Sequence, residues 1–142
     1  MKGRILAIDY GKKRTGLAVT DELGIIASPL ETVETKNLFV FLQTYCQAEP
    51  VICFVVGQPK RLDNSDSSIA GEVKKFVANL EKLFPEKKVY PYDERFTSQM
   101  AFQAMIDGGL KKAARRDKSL VDKISATIIL QSFLEYRNNT SQ

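Results

Sequence analysis

A run of aliphatic residues near the start of the chain ends in a carboxylate. Ile5-Leu6-Ala7-Ile8 is continuously apolar and Asp9 follows at once. A turn bounded by Gly11 and Gly16 then carries Lys12, Lys13 and Arg14. An apolar run this short, bounded by charge, suits a strand buried on both faces, which belongs inside a sheet covered by helices. An acid at the tip of such a strand is costly to ionise unless something cationic lies against it. The chain must therefore build a helix-covered sheet with a charged rim where its first strand stops.

The remaining pattern supplies the other layers. Residues 15–20 read as a second strand, paired with the first as a hairpin, and 24–33 as a third that contains Pro29. Leu38, Phe41, Leu42 and Tyr45 fall at helical spacing over 37–47, with Asn37 as N-cap. Residues 51–56 form an apolar strand that stops at Gly57-Gln58-Pro59, and 60–68 form a polar loop. Ile69, Val73, Phe76, Val77, Leu80 and Phe84 share one helical stripe over 69–84, and 87–92 is a short strand. A third helix starts at Thr97 or Ser98 and ends near Gly108-Gly109; a last helix spans 119–136. The order βββαβαβαα predicts an α/β fold, with a five-stranded mixed sheet flanked by helices. Strands 1–3 would form an antiparallel meander, with strands 4 and 5 parallel to strand 1. One domain is expected over 1–138, with a polar tail at 139–142.

Composition removes several chemistries. The chain has 142 residues and no histidine, which excludes Ser-His and Cys-His nucleophile pairs and His-ligated zinc. Cys46 and Cys53 lack zinc-type spacing and read as free thiols. No apolar run is long enough to cross a membrane, and a strand begins almost at the first residue, so a cytoplasmic protein without a signal peptide is expected. The net charge of +4 permits a polyanionic partner.

The acids at element ends are the candidates for chemistry. Asp9 ends the first strand, Asp93 and Glu94 end the fifth, and Asp122 lies early in the last helix. In open α/β sheets the ligand crevice lies beyond the carboxyl ends of the parallel strands. If strands 1, 4 and 5 are parallel, Asp9 and Glu94 share that edge. Asp122 falls on the stripe of Ser125, Ala126, Ile129 and Phe133, whose small residues leave room for an ion. Convergent carboxylates without histidine suit Mg²⁺ or Mn²⁺. A pair of such ions ~3.5–4 Å apart stabilises both oxygens of a phosphodiester displacement. Three of these acids also have a local alternative. Asp122 fits a capping box with Ser119, Asp93 can pair with Arg95 or Lys87, and Asp9 can shape its own turn.

Lys111, Lys112, Arg115, Arg116 and Lys118 crowd the loop before the last helix. Such a loop grips phosphates without reading bases, although a solvated charge run has the same composition. Lys60, Arg61 and Asn64 could line the same rim.

Four blocks in order resemble the YqgF family, described as Holliday junction resolvases and as pre-16S rRNA nucleases. They are Asp9 through Asp21, Val55-Val56-Gly57-Gln58-Pro59, Asp93-Glu94-Arg95-Phe96-Thr97-Ser98, and Lys118 through Ala126. The resemblance spans Ile5 to about Leu134 and implies a ribonuclease H-like fold with metal-dependent nuclease activity on structured nucleic acid. By position it makes Asp9, Glu94 and Asp122 the acidic ligands, with Asp93 the rival for the second place. Arg14, Arg95 and Lys118 resemble the family's basic partners. Gln58, Phe96 and the loop from Lys60 to Asn64 depart from the family pattern, which bears on substrate preference.

The expected activity is Mg²⁺- or Mn²⁺-dependent cleavage of rRNA precursor, with branched DNA as the alternative substrate, by a monomer or homodimer. Two other classes stand beside it. A nucleotide-binding phosphotransferase of the actin and sugar-kinase type would need a second domain, and an RNA-binding factor without catalysis would need none of the acids.

Overall fold

The structure, a computed structural model, describes residues 3–58, 68–93 and 118–140. Five strands lie in one sheet: β1 (Arg4–Asp9), β2 (Arg14–Thr20), β3 (Ala27–Glu34), β4 (Val51–Gln58) and β5 (Lys88–Asp93). Three α-helices accompany them among the described residues: α1 (Leu38–Ala48), α2 (Ser68–Leu83) and α3 (Lys118–Thr140). The expected helix at 97–109 and the loops at 60–67 and 110–117 lie outside the described residues.

The strand order is β3-β2-β1-β4-β5. β1 pairs antiparallel with β2 and β2 with β3, whereas β1, β4 and β5 run parallel. This is the mixed sheet expected from the pattern. β1 lies centrally because its side chains are apolar on both faces. Leu6 and Ile8 point one way, Ile5 and Ala7 the other, and all four are buried.

The two faces are packed differently. Leu38, Leu42, Phe54, Val73, Phe76 and Leu80 form the centre of the α1/α2 side, where each fully buried large side chain contributes ~1.5–3 kcal/mol. On the other side Ala7, Ala18 and Ala126 are fully buried beside Ile129, Leu130 and Phe133. Three alanines at this contact let α3 lie close to the sheet.

Some boundaries differ from the sequence pattern. β3 begins at Ala27 because Asp21 holds the preceding turn. Its carboxylate accepts from the N–H groups of Ile25 (2.8 Å), Ile26 (2.9 Å) and Leu23 (3.3 Å). Gly24 there has φ +69°, a left-handed conformation that favours glycine. α3 continues through Thr140, beyond the expected end at Tyr136 and into the segment expected as a tail. Arg137 anchors that extension by donating from Nη2 to the Gly24 carbonyl (3.2 Å). Asn37 occupies the N-cap position of α1, but a 3-10 turn (Thr35–Asn37) precedes it and its side chain makes no capping bond. Pro29 sits in the edge strand β3, where a missing N–H is tolerated, and the β2–β3 register shifts beside it, between Leu17 and Ala18. Cys46 and Cys53 are free thiols, and burial pushes both above the usual thiol range. Among the described residues no helix is long and apolar enough to cross a membrane.

Candidate functional site

The parallel trio β1, β4 and β5 ends at a common edge. Ile8 lies beside Val56 and Val56 beside Pro91, so the strands stop within a residue or two of one another. Asp9 is the last residue of β1, half-buried and opposite Gly16 of β2. Asp93 is the last residue of β5, opposite Gln58. The backbone thus carries both acids to one rim.

α3 runs back across the sheet against the direction of β1. Its C-terminal Arg137 reaches Gly24 near the opposite rim, where Gly3 donates to the Glu22 carbonyl just before β1 starts. The N-terminal turns of α3, which hold Lys118 and Asp122, therefore point toward the rim where β1 ends. Glu94, Arg95, Lys111, Lys112, Arg115 and Arg116 lie outside the described residues. Among the described residues no group of three or more His, Cys, Asp or Glu converges. Of the four expected acids, only Asp9 has its side chain among those described. The expected donors are all carboxylate oxygens, which fit a hard divalent ion.

The turn at 10–13 is held from two sides. The Thr35 hydroxyl donates to the Gly11 carbonyl (2.6 Å) and bonds the fully buried Thr15 hydroxyl (2.9 Å). The Thr35 N–H donates to the Lys13 carbonyl (2.9 Å), and a longer contact of 3.5 Å joins the Gly11 N–H to the Thr15 hydroxyl. A Cβ on Gly11 would collide with the Arg14 carbonyl, so the turn closes only around glycine. Lys12, Lys13 and Arg14 stand exposed on it. With Lys36 and Glu34 they line an open depression of about 480 Å³. Lys36 pairs with Glu34 at 3.3 Å, which leaves the depression cationic.

Tyr10, next to Asp9, packs its ring on Phe76 with centroids 5.0 Å apart. Burial and the nearby Glu72 carboxylate push its phenol above the usual tyrosine range, so it stays protonated at neutral pH. Thr15, Thr35 and Lys36 were not among the sequence candidates. The pairing of Arg14 with Glu34 brings the start of the 3-10 turn beside the basic turn, and no local motif announces that contact.

Comparison with known proteins agrees with this architecture. Thermus thermophilus RuvC in complex with a Holliday junction substrate superposes with a TM-score of 0.61 at 18% identity, over 97% of each chain. RuvC of the same organism without that description gives a TM-score of 0.57 at 17% identity, over 96% of this chain and 97% of the other. Likeness at that identity establishes the fold, which is ribonuclease H-like. Among sequence relatives, a Christiangramia forsetii protein named "Putative pre-16S rRNA nuclease" is 57% identical, covering 92% of this chain and 97% of its own. A Phocaeicola vulgatus protein of the same name is 57% identical, covering 93% and 95%. The family pattern described as RuvX, Holliday junction resolvase, matches residues 3–136. With that span and those relatives, the chain belongs to the RuvX family, also called YqgF.

Proposed function

We propose that this protein is a divalent-metal-dependent nuclease of the cytoplasm that trims the 5′ end of the 16S rRNA precursor. The observation that carries the reading is the shared rim. Parallel β1, β4 and β5 end at one rim, with Asp9 and Asp93 the last residues of β1 and β5, and the first turns of α3 run toward that rim, which supports the reading. Family membership and the names of the relatives supply the reaction class, hydrolysis of a phosphodiester. Asp9, Asp122 and either Asp93 or Glu94 are the residues that would hold Mg²⁺ or Mn²⁺. When bound, the ion supplies a nucleophilic hydroxide at neutral pH and charge stabilisation at the phosphorus.

The chain's own groups do the rest. Lys12, Lys13 and Arg14 hold the phosphate backbone from the turn fixed by Thr15 and Thr35. Arg95, Lys111, Lys112, Arg115, Arg116 and Lys118 would add to that grip. Cations on a fixed turn recognise the position of a backbone and not its sequence.

The test is cleavage of a 5′-extended 16S precursor fragment and of a four-way DNA junction by purified protein and by Asp9→Asn, with Mg²⁺ or Mn²⁺. Metal-dependent cutting of the RNA that Asp9→Asn abolishes is the expected result. Preference for the junction would favour resolvase activity, which the family description supports as the second reading. Equal activity in Asp9→Asn would overturn the roles assigned here. Metal-independent RNA binding without cutting would leave a binding factor.

A further inference from the structure

A cleft on the α3 side of the sheet lies away from the basic turn, near the rim where the parallel strands begin. It encloses about 460 Å³, within the range of pockets that take a small organic ligand. Lys88 opens β5, and Tyr90 follows on the same face two residues later. The Tyr90 ring packs on Phe133 with centroids 5.4 Å apart and remains 37% exposed. Tyr136, three residues along α3 from Phe133, stands on the wall 60% exposed. Arg137 completes the wall. Among the described residues Glu86 is the one acid lining it, and it lies 3.8 Å from the Lys87 ammonium.

Two exposed tyrosine rings, one of them packed on a phenylalanine, with Lys88 and the Gly24-bonded Arg137 at the margin, match what a base and its phosphate require. Rings of this kind stack on any base face, and cations at the edge neutralise the phosphate. A purely apolar partner would gain nothing from Lys88 and Arg137. The same face of β5 continues through Tyr92 toward the rim where the strand ends. Tyr92 packs edge-on against Phe133 (6.3 Å), and its hydroxyl bonds Ser132 (2.6 Å). Tyr90 and Asp93 are three residues apart, ~10 Å along the strand at ~3.3 Å per residue. At ~3.4 Å per stacked nucleotide, that is a distance of about three nucleotides.

We propose that the cleft between Tyr90 and Tyr136 is a nucleobase subsite, holding by stacking a single-stranded base a few nucleotides from the bond to be cut. The proposal rests on the nuclease reading for its substrate. Its test does not depend on cutting.

Metal-free protein in EDTA is titrated into a fluorescein-labelled single-stranded RNA hexamer and into an abasic strand of the same length. Tyr136→Ala should weaken binding to the hexamer about tenfold and leave the abasic strand unaffected. Tyr90→Leu should behave similarly, while Tyr90→Phe, which keeps the ring, should bind like the parent. Thermal unfolding of each variant checks that the fold persists. Equal binding of the hexamer by parent, Tyr136→Ala and Tyr90→Leu would overturn the subsite. So would a loss that is the same for the hexamer and the abasic strand. Neither outcome touches the Asp9→Asn cleavage result, so the subsite and the nuclease reading can fail separately.

Discussion

Two turns at opposite rims of the same sheet are built by opposite means. At the rim where β1 begins, the turn between β2 and β3 is organised by its own carboxylate. Asp21 accepts the N–H groups of Leu23, Ile25 and Ile26. Its charge is committed to the backbone, and the side chains it displays are apolar, with Leu23, Ile25 and Ile26 all exposed. At the rim where β1 ends, Thr15 and Thr35 hydroxyls brace the turn and the exposed side chains are cations. A neutral brace adds no negative charge beside Lys12, Lys13 and Arg14, which suits the phosphate contact proposed for them. An anionic brace suits a turn with no phosphate to hold.

The sharpest way to break this contrast is Asp9→Asn. If Asp9 is a metal ligand, cleavage should fall about a thousandfold or more, since several kcal/mol of transition-state stabilisation are removed. Thermal unfolding should remain cooperative. Asp21→Asn, an acid-to-amide change at the opposite rim, should leave cleavage near the parent level.

Thr35→Val tests the brace. It removes the bond to the Gly11 carbonyl and one partner of the buried Thr15 hydroxyl. A loss of about 1–3 kcal/mol in denaturant unfolding is expected, with a raised KM for nucleic acid, and Thr35→Ser should restore most of both. An unchanged KM would mean that the turn keeps its shape without the hydroxyls.

Replacing Lys12 and Lys13 together with alanine should weaken binding to single-stranded RNA and flatten its salt dependence. The slope of log K against log salt should fall by about 1.4 if each lysine neutralises one phosphate. An unchanged slope would place the strand elsewhere.

The smallest effect is the pH response of Asp21. The backbone N–H groups of Ile26 and Ile25 hold its carboxyl below the usual carboxylate range. A group whose folded pKa is depressed contributes stability above its unfolded value, here near 3.8. That contribution is lost as the pH falls through the lower folded value. Asp21→Asn should therefore lose stability near neutrality and show a shallower decline below about pH 4. A parent and variant with parallel acid unfolding curves would remove the carboxylate from the brace.

Much of this was legible in the chain because the signals were local. The aliphatic run before Asp9 marked β1, and the stripe through Val73, Phe76 and Leu80 located α2. Asp9 and Asp93 were recognisable as strand ends because aliphatic or aromatic residues precede them and charge follows. What escaped depended on contacts far apart in sequence. Nothing near Thr35 indicates that its hydroxyl reaches Gly11, 24 residues earlier. Nothing near Arg137 foretells an anchor on Gly24, 113 residues away, that accompanies the added turn of α3. The cleft at Tyr90 and Tyr136 joins a strand and a helix whose relative placement only the packed sheet decides. Asp21 is a different failure. The Asp-to-Gly24 turn was readable, but the apolar look of Ile25 and Ile26 suggested strand, and the carboxylate claimed their N–H groups instead.

Pro29 carries a last consequence. An edge strand offers a row of donors and acceptors to any passing chain, and such rows seed fibres. Pro29 removes a donor from β3, and the register shift beside it disturbs the row further. Glu31 and Glu34 add like charges that would face each other if two such edges met in register. The sheet is thus guarded on its β3 flank against growing outward by strand addition.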